Sequence, residues 1–266
     1  MNEPKKKFKI VTDTRARVIL PNTLTLIGVC IGLSSINFAL NQNYKLAIIA
    51  ILFAAIIDGL DGRIARLIKG TSKVGKELDS LTDIISFGVA PAFIMYFWSL
   101  NTLGKIGWLL SLIYVVCVAL RLARFNLNTG SEPSWKDNFF EGVPSPAGGI
   151  LVLTPLIYEV SGIKLIDLNY QIIVPIFFIV ISILLISKIP TYAFKKISVK
   201  RSTTVFLMFG IVLMFVLLLM FPFQTVVTAS ILYIFSLPMS YFHYLKLEKK
   251  NKSENLFDHD EPEDFL

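Results

Sequence analysis

The chain has 266 residues, of which 54% are hydrophobic and 17% charged, and it carries a formal net charge of +7. So apolar a composition excludes a water-soluble domain of this length and reads as a membrane protein. The positive charge calls for no nucleic-acid partner, because it concentrates where membrane proteins keep their basic residues and where anionic lipid headgroups attract them.

The N-terminus, MNEPKKKFKIVTDTRAR, is a polar run rather than a short charge followed by an apolar core, so no cleavable signal peptide is expected. Segment 10–20, IVTDTRARVIL, has apolar residues at roughly helical spacing and leads into Pro21. It is either a short interfacial helix or a basic anchor without defined fold. Windows of about 20 apolar residues then predict eight membrane-spanning helices, near 21–41, 45–68, 76–100, 105–125, 146–162, 168–188, 203–222 and 223–245. The expected fold class is therefore all-α, a polytopic membrane helical bundle with an N-terminal interfacial helix. With both termini in the cytoplasm, the segments on the outer side keep only Lys45, Lys105 and Lys164 of the 26 basic residues. That asymmetry sets the expected orientation. The expected division is a basic arm at 1–20, a main transmembrane domain at 21–202, two further spans at 203–246 and a charged, disordered tail at 247–266. Cys30 and Cys117 lie in spans without paired spacing and read as packing residues. His243 and His259 lack metal-ligand company.

The second and third spans hold Asp58, Asp61, Asp79 and Asp83. An Asp near the middle of a span costs roughly 2.5 to 3.5 kcal/mol, so four cost on the order of 10 kcal/mol unless something offsets them. At about 100° per residue, Asp58, Asp61, Gly62 and Ala65 share one arc of their helix with Arg66 beside it. Gly75, Asp79, Asp83 and Ser86 share an even narrower face of the next, while Glu77 points away. The short turn KGTSKV makes the two helices antiparallel neighbours, so the acidic faces meet. Converging carboxylates repel unless they hold protons or recruit a cation, and oxygen-only ligands suit hard divalent ions such as Mg²⁺ or Mn²⁺. Such a cluster beside Arg66 and Lys69 suits phosphoryl transfer, in which two metals assist the attacking and leaving oxygens and a carboxylate takes the proton.

The order D-x-x-D-G-x-x-A-R-x8-G-x3-D-x3-D, carried by Asp58, Asp61, Gly62, Ala65, Arg66, Gly75, Asp79 and Asp83, resembles the signature of the CDP-alcohol phosphotransferase family. The resemblance implies displacement of CMP from a CDP-linked lipid or alcohol by a hydroxyl. It also implies that Asp58, Asp61 and Asp79 hold two divalent metals, with Asp83 completing the site and acting as base. Gly62, Arg66 and Ser72 would contact the CDP group, with Ala65 and Gly75 lining its approach. The stretch PNTLT resembles a P-N-x-x-T of relatives, making Asn22 and Thr25 candidates for the same pocket; the ordinary alternative is a helix N-terminus with a capping Asn.

The segments 79-DSLTDIISFGVAPA-92, 120-LRLARFN-126, 140-FEGVPSPA-147 and 189-IPTYAFKK-196 resemble the bacterial membrane-embedded CDP-diacylglycerol–serine branch of that family. This implies CDP-diacylglycerol and L-serine as substrates, a homodimer, and a cytoplasm-facing site in the cell (inner) membrane. Arg121 and Arg124, at i and i+3, would clamp a carboxylate or phosphate, with Ser86 nearby; their ordinary reading is a positive-inside anchor. Two alternatives stay open: the same chemistry with glycerol 3-phosphate as acceptor, and a divalent-cation transporter. A transporter places its carboxylates near the midplane with broken helices, whereas these lie towards one surface.

Overall fold

The computed structural model describes residues 14–68, 70, 72–127, 139–163, 169–192 and 201–258. Helices α1 (Thr14–Leu40) and α2 (Tyr44–Leu67) form a hairpin and make the most extensive helix pair in the molecule. Gln42 takes a φ of 58° in the connection, and Asn43 caps α2 by accepting from the Leu46 N–H at 3.4 Å. Next come α3 (Lys73–Asp83), a π-helical segment Ile84–Val89 and α4 (Ala90–Trp98), then a 3₁₀ turn at Leu100–Leu103 and α5 (Lys105–Leu127). The described chain ends with α6 (Ser145–Ser161), α7 (Tyr170–Ile186), α8 (Arg201–Met220) and α9 (Pro222–Asp258).

Helix α6 is the axis of the bundle. Apolar on every side, with Leu151, Val152, Leu153, Leu156 and Ile157 all at most 2% exposed, it can only be an interior helix. It packs on α4, α7, α9 and the π-helical segment. That segment is itself enclosed. A Cβ on Gly32 of α1 would lie 2.5 Å from the Ser86 Oγ, and one on Gly149 of α6 would lie 3.2 Å from the Phe87 backbone, so small residues on both sides admit the wider π turn. Fully buried Tyr114 of α5 donates its hydroxyl to the Phe87 carbonyl at 2.8 Å, pairing a backbone acceptor that has no water to turn to. At the opposite end from the aspartates, Phe93, Tyr96 and Phe97 gather around Trp108, with ring centroids 5.2–5.8 Å apart.

Four described helices are long and apolar enough to cross a membrane: Ile19–Leu40, Lys73–Trp98, Lys105–Leu127 and Pro222–Lys249. Tyr170–Ile186 and Phe206–Met220 are shorter apolar helices. The eight-span expectation thus has four spans of full length. The expected span in α2 falls short because its last third carries the charges of the site, and α6 has only 17 residues.

Three further expectations are revised. Residues 14–20 form no separate interfacial helix: α1 runs unbroken through Pro21, and residues 10–13 lie outside the described part. A proline is tolerated inside a membrane helix when neighbouring groups re-satisfy the backbone carbonyl it leaves unpaired. Helix α9 continues to Asp258, so the first part of the segment expected to be disordered is helical; residues 259–266 lie outside the described part. The bundle is also not purely helical. Strands β1 (Phe139–Glu141) and β2 (Pro190–Tyr192) pair antiparallel, with Phe139 opposite Tyr192 and Glu141 opposite Pro190. They join the segments on either side of α6 and α7.

Candidate active site

Six helices converge on one end of the bundle, through the C-terminal parts of α2, α5 and α7 and the N-terminal parts of α1, α3 and α6. The turn between α2 and α3 is closed by the Gly70 N–H on the Ala65 carbonyl at 2.9 Å and by Ser72, whose Oγ caps α3 by accepting from the Gly75 N–H at 2.9 Å. Ser72, expected to contact the CDP group, thus has a structural partner; Lys69 lies outside the described residues. Across this turn Asp58, Asp61 and Asp79 each present a carboxylate oxygen, and the three oxygens lie within 4.8 Å of one another. Asp61 is only 3% exposed, and the Thr25 Oγ1 donates to its Oδ2 at 2.6 Å.

Asp83 sits one turn deeper, 8% exposed, close enough to Asp58 for the two to interact. Its Oδ2 accepts from the Ser145 hydroxyl at 2.7 Å, while its Oδ1 is buried without a hydrogen-bond partner. Ser145 in turn accepts from Arg121 Nη1 at 3.3 Å, so α6 bridges the deepest carboxylate to a buried guanidinium of α5. Three hard-oxygen ligands this close, with a fourth carboxylate oxygen bare beside them, fit a divalent cation better than mutual repulsion in a low-dielectric interior.

Gly142 aims Ser145 into the site. It has a φ of 73°, its N–H bonds the Ile189 carbonyl at 2.9 Å, and its carbonyl accepts from the Thr191 Oγ1 at 2.9 Å. A Cβ there would meet the Ser187 and Leu185 carbonyls at 2.8 and 3.0 Å, so only glycine fits without displacing the end of α7. The Val143 N–H completes the anchor on the Leu184 carbonyl.

The glycines of the acidic stripe differ from one another. Nothing lies within 4 Å of a Cβ placed on Gly62, so that face of α2 opens onto free space beside the carboxylates. A Cβ on Gly75 would lie 2.8 Å from the Asn22 Oδ1, so α1 and α3 nearly touch there. Asn22 and Thr25 lie inside α1, and Asn22 therefore does not cap a helix start; both side chains turn towards the acidic helices instead. Ala65 is half-buried, and exposed Arg66 donates from Nε to the Gly62 carbonyl at 3.0 Å. Glu77 is exposed, as its angular position requires.

Two expected site residues lie elsewhere. Ser86 is 1% exposed and packs into the α1 seam, 3.5 Å from the Gly28 carbonyl. Arg124 donates to the Ile186 and Ser187 carbonyls at 2.8 and 3.3 Å, capping the C-terminus of α7, so it does not share a ligand with Arg121. Nothing in its spacing marks Ser145 as a site residue, because a serine between two prolines at a helix start has no helical repeat that relates it to the aspartates.

A family model described as CDP-alcohol phosphatidyltransferase matches residues 18–240. The chain is 50% identical over 137 residues to the CDP-diacylglycerol–serine O-phosphatidyltransferase of Mycobacterium leprae, covering 51% of this chain and 45% of that protein. It is 36% identical over 179 residues to the enzyme of the same name from Helicobacter pylori, covering 67% of this chain and 74% of that protein. It is 34% identical over 140 residues to the archaetidylserine synthase of Methanothermobacter thermautotrophicus, covering 51% and 56%. The chain spans about half the length of the mycobacterial relatives it matches.

Proposed function

We propose, from the premise that this chain belongs to the CDP-alcohol phosphatidyltransferase family, that it transfers the phosphatidyl group of CDP-diacylglycerol to the hydroxyl of L-serine and releases CMP. The observation that carries the reading is the division of labour among the four aspartates. Three converge on one point, and the fourth, held through one oxygen by Ser145, keeps its other oxygen bare. The serine-using relatives support the choice of acceptor.

In this reading Asp58, Asp61 and Asp79, with Asp83, hold two divalent ions, Mg²⁺ or Mn²⁺. When bound, these supply neutralisation of the pyrophosphate and stabilisation of the departing CMP oxygen. Thr25 fixes the Asp61 carboxylate by its 2.6 Å hydrogen bond. The open face at Gly62, with Arg66 at its rim, receives the pyrophosphate, and Asn22 and Gly75 border the nucleotide. Asp83 Oδ1 accepts the proton of the serine hydroxyl. A bond forms from that oxygen to the phosphorus bearing diacylglycerol, and the bond from this phosphorus to the CMP oxygen breaks with its electron pair leaving on CMP.

The lipid substrate and product keep their acyl chains in the bilayer, so the site belongs at a membrane surface. The basic-residue asymmetry supports a cytoplasmic site and cytoplasmic termini in an inner-membrane protein of eight spans. A homodimer, with 21–202 as the catalytic domain, completes the proposal. The test supplies membranes with CDP-diacylglycerol, Mn²⁺ and radiolabelled L-serine. Labelled phosphatidylserine and one CMP per lipid are expected, and activity with glycerol 3-phosphate alone would refute the acceptor.

A further inference from the structure

Among the described residues, five buried side-chain polar atoms have no hydrogen-bond partner: Asp83 Oδ1, Arg121 Nε, Ser182 Oγ, the Tyr233 hydroxyl and Ser240 Oγ. Leaving such an atom unpaired costs about 1–3 kcal/mol each, so a cluster of them marks a place built for something else. Three of the five cluster. The Arg121 guanidinium is within electrostatic reach of both Asp83 and Tyr233, and Ser145 already ties Arg121 to Asp83. Tyr233 arrives from α9, which packs on β2 and on α6, and its hydroxyl faces that of Thr191 on β2, whose own proton goes to the Gly142 carbonyl, without a well-formed hydrogen bond between the two.

The unmet valences are two donors, Arg121 N–H and Tyr233 O–H, and one acceptor, the bare oxygen of Asp83. Their complement is a small molecule with an anionic group that accepts two hydrogen bonds and a hydroxyl that donates one. Among the described residues Arg121 is the one buried cation of this cluster; its charged neighbour Arg124, three residues on, is committed to the end of α7. One positive charge and a neutral phenol match a monoanion such as a carboxylate. A phosphate dianion would ask for more positive charge.

We infer that Tyr233, on a helix outside the motif-bearing part of the chain, binds the carboxylate of the acceptor together with Arg121 and so helps select an amino acid as nucleophile. This rests on the proposed serine-transfer reading and deepens it. The carboxylate held between Tyr233 and Arg121 leaves the hydroxyl directed at Asp83, so recognition of one end of the acceptor aligns the reacting end.

The test is Tyr233→Phe in the full-length chain, which keeps the ring and removes only the hydroxyl. The KM for L-serine should rise roughly tenfold, as expected for one lost hydrogen bond to a charged group, with the KM for CDP-diacylglycerol unchanged. The preference for L-serine over serinamide, which keeps the hydroxyl but lacks the carboxylate, should fall by a similar factor. An unchanged serine KM and unchanged preference, in a protein whose wild type uses serine, overturn the inference. Equal rises in both KM values assign Tyr233 to packing and overturn it as well. A wild type that releases CMP only with glycerol 3-phosphate defeats the serine reading itself and the inference with it, a failure visible before any substitution is made.

Discussion

Asp83 differs from its three companions in its neighbours rather than in its chemistry. A serine hydroxyl 62 positions away in sequence occupies one carboxylate oxygen and leaves the other bare, where the proposed role needs it to take the acceptor's proton. Asp83→Asn keeps the volume and the acceptor for Ser145 but cannot take that proton. Turnover should fall about 10²–10⁴-fold, the range typical of a lost general base, while the thermal unfolding midpoint stays near that of the wild type; CMP release and a melting curve check both halves, and an active variant removes Asp83 as base. The aspartate stripe is legible in sequence because four residues at helical spacing specify a face by themselves. The Ser145 contact is not, because its partner is fixed only when α6 packs. Arg121 and Arg124 make the same point: equivalent by spacing, they separate only when the carbonyls at the end of α7 claim one of them.

At the scale of elements, the connection GVPSP carries more than a helix start. Gly142 holds a positive φ against three carbonyls of the α7 terminus, and Ser145 follows it by three residues. Gly142→Ala should destabilise the protein by about 1–3 kcal/mol, the usual cost of a strained backbone position. The same substitution should lower turnover by moving the Ser145 hydroxyl. A lowered melting midpoint together with reduced CMP release is the expected pair, and a variant as stable and active as the wild type would show that the α7 end yields freely. The positions of the helices follow from runs of apolar residues and are readable in advance. Their interruptions are less so. Pro21 suggests a helix boundary by its lack of a donor, yet α1 passes through it, with its length packed against α2. The β1–β2 pair is three residues per strand, too short for any alternation of apolar and polar positions to announce it.

For the whole molecule, the acidic cluster links folding to cation concentration. Crowding four carboxylates together, two of them buried, opposes folding, and an ion bound only by the folded chain offsets this by mass action. At a free Mn²⁺ concentration 100 times the dissociation constant, the stabilisation is about 2.7 kcal/mol. Titrating Mn²⁺ into chelator-treated protein should therefore raise the melting midpoint, and Asp61→Asn should blunt the rise. A midpoint insensitive to Mn²⁺ would separate the cluster from metal binding without reference to activity. Membrane character follows from composition, but the number of full-length spans does not: α2 gives up apolar length to Asp58, Asp61, Arg63 and Arg66.

The π-helical segment Ile84–Val89 lies directly after Asp83, and the Ala90 N–H reaches back five residues to the Ile85 carbonyl. A widened turn shifts angular phase, so the aspartate stripe upstream and the aromatic surface of α4 downstream are not bound to a common 3.6-residue rhythm. One part of this helix can keep its face towards the reacting atoms while the other keeps its own against Trp108. Deleting a single residue from 84–89 would restore the regular pitch and force one face out of alignment, much as a slipped gear tooth turns the whole wheel behind it.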